Sequence, residues 1–277
     1  TQKYAVSDEL ASSVTAQTQW IVDQRDDLGI AFTAHLGDIV DLHPDTRQWD
    51  RMSASMKVLD DAGVPNSVLP GNHDIFGPQG RHHQKEFLGE AGRSLSITSN
   101  PSTVDDCVAF SDAMYCEGYP SGLNPMAAFG YFRRPEYLHW ETPFGTSDAA
   151  EDRVYTATSP DGSNVYRLMD ASYLVEPEPG LWLLMIDANV FEPLDGQFER
   201  GEEAAFTGST SGGWNAMLRS KRFILNWIAD VSQRAKQQGK TLLAFSHYPA
   251  LDPFDGASGA EAVLFGETNV VRRTPVK

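Results

Sequence analysis

The sequence predicts an α/β fold built on parallel strands. Short apolar runs suited to buried strands alternate with segments whose large apolar residues recur at helical spacing. The connections between them are short, and strand–helix–strand alternation of this kind implies a parallel sheet with crossover helices. A third observation points to function. Three apolar runs end in polar side chains competent to bind a metal: 35-HLGDIVD-41, 69-LPGNHDIF-76 and 245-FSHYP-249. In such sheets ligands lie beyond the carboxyl ends of the strands.

The first element is a helix over about 15–28, with Trp20, Ile21 and Leu28 as its larger apolar positions and Gly29 as its stop. Residues 30–36 follow as a buried strand that ends at Gly37-Asp38. A second helix covers about 46–62, where Trp49, Met52, Met56 and Leu59 share one face and Gly63 closes the last turn. The second strand, about 65–69, runs into Pro70-Gly71-Asn72-His73-Asp74. From 77 to 180 helical periodicity is lost and aromatics crowd Met126–Gly145, so this segment reads as a long insertion with some strands, packed over the domain and its site. Order returns with an apolar strand at 181–187. A helix over about 214–237 carries Leu218, Ile224, Leu225, Ile228 and Val231 and ends at Gly239. A last strand, 241–246, places His247 at its tip. The whole of 1–277 reads as a single domain without internal repeats.

Composition narrows the function. With 22 basic and 38 acidic residues the net charge is −16, which argues against general nucleic-acid binding, because phosphate backbones are held by basic surfaces. A phosphate substrate is still compatible if the site brings its own cations. No run approaches the roughly 18 apolar residues of a membrane span. Cys107 and Cys116 sit in a polar segment. A disulfide between them would suit a periplasmic or secreted protein, and two free thiols fit equally well.

A turn after a strand needs only its glycine, so the spending of Asn72, His73 and Asp74 in succession calls for a chemical reason. Carboxylate, amide oxygen and imidazole form a mixed oxygen and nitrogen donor set that suits divalent first-row metals. A two-metal site clamps both the attacking and leaving oxygens of an in-line displacement at phosphorus.

Gly37-Asp38 with Asp41 close behind, then Gly71-Asn72-His73-Asp74, then His247 before Tyr248-Pro249, resemble in order and spacing the calcineurin-like metallophosphoesterases. The likeness covers about 1–76 and 181–250. It implies a sandwich of two sheets flanked by helices, four layers in all, with a dinuclear centre of divalent Mn, Fe or Zn. It further implies hydrolysis of a small phosphate mono- or diester by a metal-bound hydroxide. Residue by residue, Asp38 would bridge the two ions, and Asn72 and His247 would bind one of them. His73 would protonate the leaving oxygen and Asp74 would orient its ring. The family opens with Asp-x-His or Asp-x-Gln, so Gln2 would be a further ligand. It closes with Gly-His-x-His, which 1–277 does not contain. The resemblance therefore implies that the domain continues beyond both ends of this sequence. The alternative is a non-catalytic binding protein that kept the fold and lost part of the metal site.

Other conspicuous residues have plainer readings. His35 lies in a strand and reads as a core or supporting group. His43, His82, His83 and His139 read as solvated, Met52 and Met56 as helix core, Asp187 as a turn aspartate, and Arg133-Arg134 as a surface pair.

Overall fold

Ser7 starts the first helix. Its hydroxyl accepts from the Leu10 N–H at 3.3 Å, and Asp8 and Glu9 occupy the first turn, where negative charge is favoured. The structure is a computed structural model that describes residues 4–41, 46–74, 108–110, 113–115, 133–147, 152–197 and 217–248. Helix α1 (Asp8–Asp23) begins well before the expected residue 15, and a separate turn, α2 (Arg25–Leu28), ends at Gly29 with φ 63°. Of the three larger apolar positions only Ile21 packs against the core. Trp20 and Leu28 are 55% and 60% exposed, while Ala11, Val14 and Thr18 are buried. Helix α3 (Thr46–Asp61) packs against α1 through small polar contacts. Thr15 Oγ1 lies 2.9 Å from Ser55 Oγ, and the Thr18 hydroxyl donates to the Ser55 carbonyl at 2.9 Å. A contact this close has room for small side chains, so the large ones point elsewhere. In α3 the expected face holds: Trp49, Met52, Met56 and Leu59 are all buried.

Helix α3 is the crossover between two parallel strands, β1 (Thr33–His35) and β2 (Asn66–Val68), registered with Thr33 opposite Asn66 and His35 opposite Val68. β1 is half-buried rather than the fully buried strand its sequence suggests, and among the described residues β2 is its one strand partner. The register decides where the backbone of β2 points. Thr33 N–H donates to Pro65 O and Leu69 N–H to His35 O, so the polar groups of Asn66 and Val68 face the opposite edge. Two tyrosines cap that edge. Tyr137 donates to the Asn66 carbonyl at 3.2 Å. The Tyr173 hydroxyl accepts from Val68 N–H at 2.9 Å and donates to Val68 O at 2.6 Å. A buried strand edge is satisfied by side chains instead of another strand.

The remaining described strands are β3 (Val108–Phe110), β4 (Ala113–Tyr115), β5 (His139–Glu141), β6 (Val154–Thr158), β7 (Val165–Met169), β8 (Tyr173–Glu178), β9 (Leu181–Ile186) and β10 (Thr241–Ser246). They form two four-stranded sheets, ordered β10-β9-β8-β5 and β4-β3-β7-β6. The molecule is thus mixed α/β, with parallel pairs β1–β2 and β9–β10 and mostly antiparallel pairing elsewhere. Residues 139–178 of the expected insertion supply β5 and β8 to the same sheet as β9 and β10, so no structural break falls at 180.

Alternation along β8 and β9 divides the core. Tyr173, Val175, Leu183 and Met185 join the cluster built by α1, α3 and β2. Leu174, Trp182, Leu184 and Ile186 face the other way, toward helix α4 (Arg222–Gln238) and its buried Ile224, Trp227, Val231 and Ala235. The expected helix over 214–237 is helical at 217–220 and again in α4, but Lys221 between them leaves the helical path; 214–216 lie outside the described residues. Glu141 on β5 ties α4 to the sheet. It accepts from Trp227 Nε1 at 3.1 Å and from Arg234, and lies 2.8 Å from His139 Nε2. Among the described residues no helix is long and apolar enough to cross a membrane.

Two outcomes follow from this frame. Tyr173→Phe strands both the N–H and the C=O of Val68, so unfolding in urea should show a loss of about 2–4 kcal/mol, and Tyr137→Phe, which strands one carbonyl, a smaller loss. Equal stability of Tyr173→Phe and wild type would contradict the edge-capping role. Glu141 is partly desolvated, which pushes its pKa up, but the donors Arg234, His139 and Trp227 outweigh this and hold it below the ordinary value. Its contribution to stability is therefore present above the usual carboxylate range and lost as pH falls through the depressed value. Glu141→Gln should flatten that acid limb of the stability curve, and an unchanged limb would refute the assignment.

Candidate metal centre

The parallel register brings the ends of β1 and β2 side by side, and the chain then closes the distance further. A Cβ on Gly37 would lie 2.3 Å from the Gly71 nitrogen. One on Gly71 would lie 2.2 Å from Asp38 Oδ1 and 2.3 Å from the Asp38 nitrogen. Only glycines permit this approach, and Gly37 also has φ 90°. Asp38 itself has φ 52°, a left-handed conformation costing about 1–2 kcal/mol for a residue with a Cβ. The surroundings hold it there. His73 N–H donates to Asp38 Oδ1 at 3.1 Å. The Asp74 carboxylate, fully buried, gathers the Ile39, Val40 and Gly71 N–H groups at 2.7, 3.1 and 2.9 Å. Asp74 is the clasp between the two loops. Burial and the nearby Asp38 charge push it up to about 7, against the pull of those three donors.

His247 reaches this point from the tip of β10. Its Nδ1 bonds the Leu36 carbonyl at 2.8 Å, which fixes the ring and assigns the proton to Nδ1 in the neutral form. Nε2 then faces Asn72 Oδ1 at 3.1 Å and Asp38 Oδ1 at 3.5 Å. Three lone-pair atoms converge, and either a proton on Nε2 or a cation relieves their repulsion. The spacing suits a metal. Donors at about 2.1 Å from one ion, 90–109° apart, are separated by about 3.0–3.4 Å; the 3.1 Å pair lies within that range and the 3.5 Å pair just beyond it. The donor set of carboxylate, amide oxygen and imidazole, with the second ring nitrogen bonded to a carbonyl, fits a divalent first-row ion. Among the described residues there is no group of three or more His, Cys, Asp or Glu side chains arranged to hold a metal; this set has two of those and the amide of Asn72.

His73 is buried beside the set, and its ring is held differently from expectation. Nδ1 lies 3.0 Å from the Asp41 carbonyl and 3.4 Å from Asp41 Oδ1. Asp41 therefore orients His73, and Asp74, expected in that part, spends its oxygens on backbone N–H groups. Asp41 is visible in the sequence as the last residue of Gly-Asp-Ile-Val-Asp, but nothing there marks it rather than Asp74 as the partner of the ring. His35 has the expected supporting part: Gly37 N–H donates to its Nδ1 at 3.2 Å, and burial above all pushes its pKa down to about 4.

Asp38, Asn72, His73, Asp74 and His247 are thus brought together. Gln2 lies outside the described residues, as do His43, His82, His83, Cys107 and Cys116. His139 stacks on Trp182 and pairs with Glu141, so it is not a solvated loop residue. Arg134 pairs with Asp60 and Glu136. Asp187 is no turn aspartate at the surface. It is fully buried against Lys221 at 3.1 Å, a partner that its position after a strand does not reveal.

No family model matches the chain. A stretch of 59 residues, 21% of the chain, is 51% identical to a protein of Bacillus subtilis (strain 168) described as "Uncharacterized protein YvnB". The matched stretch spans 5% of that protein's length.

Gly71→Ala should separate the two loops. Titration with Mn²⁺ is expected to show affinity reduced about tenfold or more, the size of effect seen when groups supporting a metal ligand are lost. Affinity equal to wild type would mean the close approach is not needed.

Proposed function

We propose that this protein is a metal-dependent hydrolase of phosphate mono- or diesters, of the calcineurin-like metallophosphoesterase kind. The observation that carries the reading is the meeting of His247 Nε2 with Asn72 Oδ1 and Asp38 Oδ1 at 3.1 and 3.5 Å, from three separate strand ends. The sharing of cores among α1 and α3, the sheets and α4 supports a four-layer sandwich.

Asp38, Asn72 and His247 would hold one divalent ion, and Asp38, with two carboxylate oxygens, is suited to reach a second. Bound ions of Mn, Fe or Zn would supply positive charge against the negative charge that builds at phosphorus. The chain's own groups do the rest. Asp41 fixes the His73 ring through Nδ1, and its carboxylate balances the ring while it carries a proton. His73 then passes that proton to the departing oxygen. Asp74 keeps the loops of Asp38 and Asn72 closed, which holds the donor set ready before substrate arrives.

The test is a panel of aryl phosphate mono- and diesters with the full-length protein, after chelation and after reloading with Mn²⁺ or Zn²⁺. Hydrolysis should vanish with the metal and return with it; equal rates in chelated and reloaded samples would end the reading. His73→Ala should keep its metal and turn over about 10²–10⁴-fold more slowly. Loss of metal as complete as in Asp38→Asn would remove His73 from the acid role.

A further inference from the structure

Lys221 breaks the helical path before α4, with φ −126° and ψ 37°, and its side chain turns into the core. The ammonium, 1% exposed, lies 2.8 Å from Asp170 Oδ2 and 3.1 Å from Asp187 Oδ2 and donates to the Asn189 carbonyl at 2.7 Å. Asp187 Oδ1 accepts in turn from the Asn189 N–H at 3.0 Å and from Asn189 Nδ2 at 3.1 Å. The Asn189 amide reaches one more acceptor, the carbonyl of Pro70, at 3.1 Å. Asp170, Asp187 and Asn189 are all fully buried.

The Pro70–Gly71 peptide is thereby tied at both ends. Its carbonyl accepts from Asn189, and its N–H donates to Asp74 Oδ2 at 2.9 Å. A peptide unit is planar, so pinning both of its polar groups fixes the plane from which Gly71 and Asn72 continue. Stability alone does not account for the arrangement. A buried ion cluster is commonly no more stable than apolar residues of the same volume. Asn189 Oδ1 is, in addition, buried without a hydrogen-bond partner, a penalty accepted so that Nδ2 can face both Asp187 and Pro70.

We infer that Asn189 is a positioning residue for the candidate metal centre, holding the Pro70 carbonyl so that Asn72 meets His247, with Asp187 and Lys221 fixing the Asn189 amide. Its consequence for metal binding rests on the proposed function; its consequence for the loop does not.

The experiment is hydrogen exchange of wild type, Asn189→Leu and Asn189→Ala, with urea unfolding and Mn²⁺ titration on the same samples. Leu removes the amide and keeps the bulk; Ala removes both. The amides of Gly71, Asn72 and His73 should exchange about tenfold faster or more in either variant while β8 and β9 exchange as in wild type, and Mn²⁺ should bind about tenfold more weakly. Unchanged exchange at 71–73, or equal acceleration throughout the core, would overturn the inference. In wild type, NMR should show slow exchange of the Asn189 side-chain amide hydrogens. Exchange as fast as in an exposed asparagine overturns the inference even if neither variant folds. If wild type binds no Mn²⁺, the metal reading falls, and the exchange rates still decide the positioning role.

Discussion

The candidate centre depends on one close approach, that of the Gly37-Asp38 turn to Gly71. At these separations a side chain on either glycine would strike backbone or the Asp38 carboxylate. The parallel register of β1 and β2 brings the strand ends together, but register alone leaves them at ordinary strand spacing. The last ångströms come from Asp74, whose two oxygens collect donors from both loops, and from Asp38, whose left-handed backbone accompanies a carboxylate set against the His73 N–H and His247. Strain of this kind persists where the surroundings over-determine it.

That constraint explains the distribution of polar groups. The apolar clusters around α1, α3 and β2 and around α4 supply the bulk of the burial and hold two sheet faces in place. The polar devices are set around the strand ends. Tyr137 and Tyr173 complete the outer edge of β2, and Asn189 holds the carbonyl of Pro70 where the strand turns into the loop. β2 is thus fixed at its edge and at its exit, and its exit carries Asn72. Side chains from the turn before β5, from β8 and from the loop after β9, far along the chain, therefore bear on the geometry of residues 70–74.

Much of this was legible in the sequence, for physical reasons that differ by element. The face of α3 could be read because its apolar residues recur at helical spacing on a polar background. The strand tips could be read because Gly-Asp, Gly-Asn-His-Asp and His247 follow one another in order, each after an apolar run, and a turn alone needs only its glycine. The start of α1 misled because its contact with α3 uses Ala11, Thr15 and Thr18, small residues that a hydrophobicity count passes over, while the larger apolar residues begin only at Trp20. The break at Lys221 was hidden because a lysine at a helical position reads as solvated. Its two carboxylate partners are distant in sequence. The division of labour between Asp41 and Asp74 was likewise not legible: both sit near His73, and only the fold decides which carboxylate meets the ring and which meets the backbone.

The central claim is that three strand tips build one ion site. A crystal of the full-length protein grown with Mn²⁺, with anomalous data collected at the manganese edge, tests it directly. The account predicts a peak within about 2.0–2.4 Å of Asp38 Oδ1, Asn72 Oδ1 and His247 Nε2 together, the range of oxygen and nitrogen bonds to divalent ions. No peak at that point under saturating Mn²⁺, with the three side chains in the arrangement described, would contradict it.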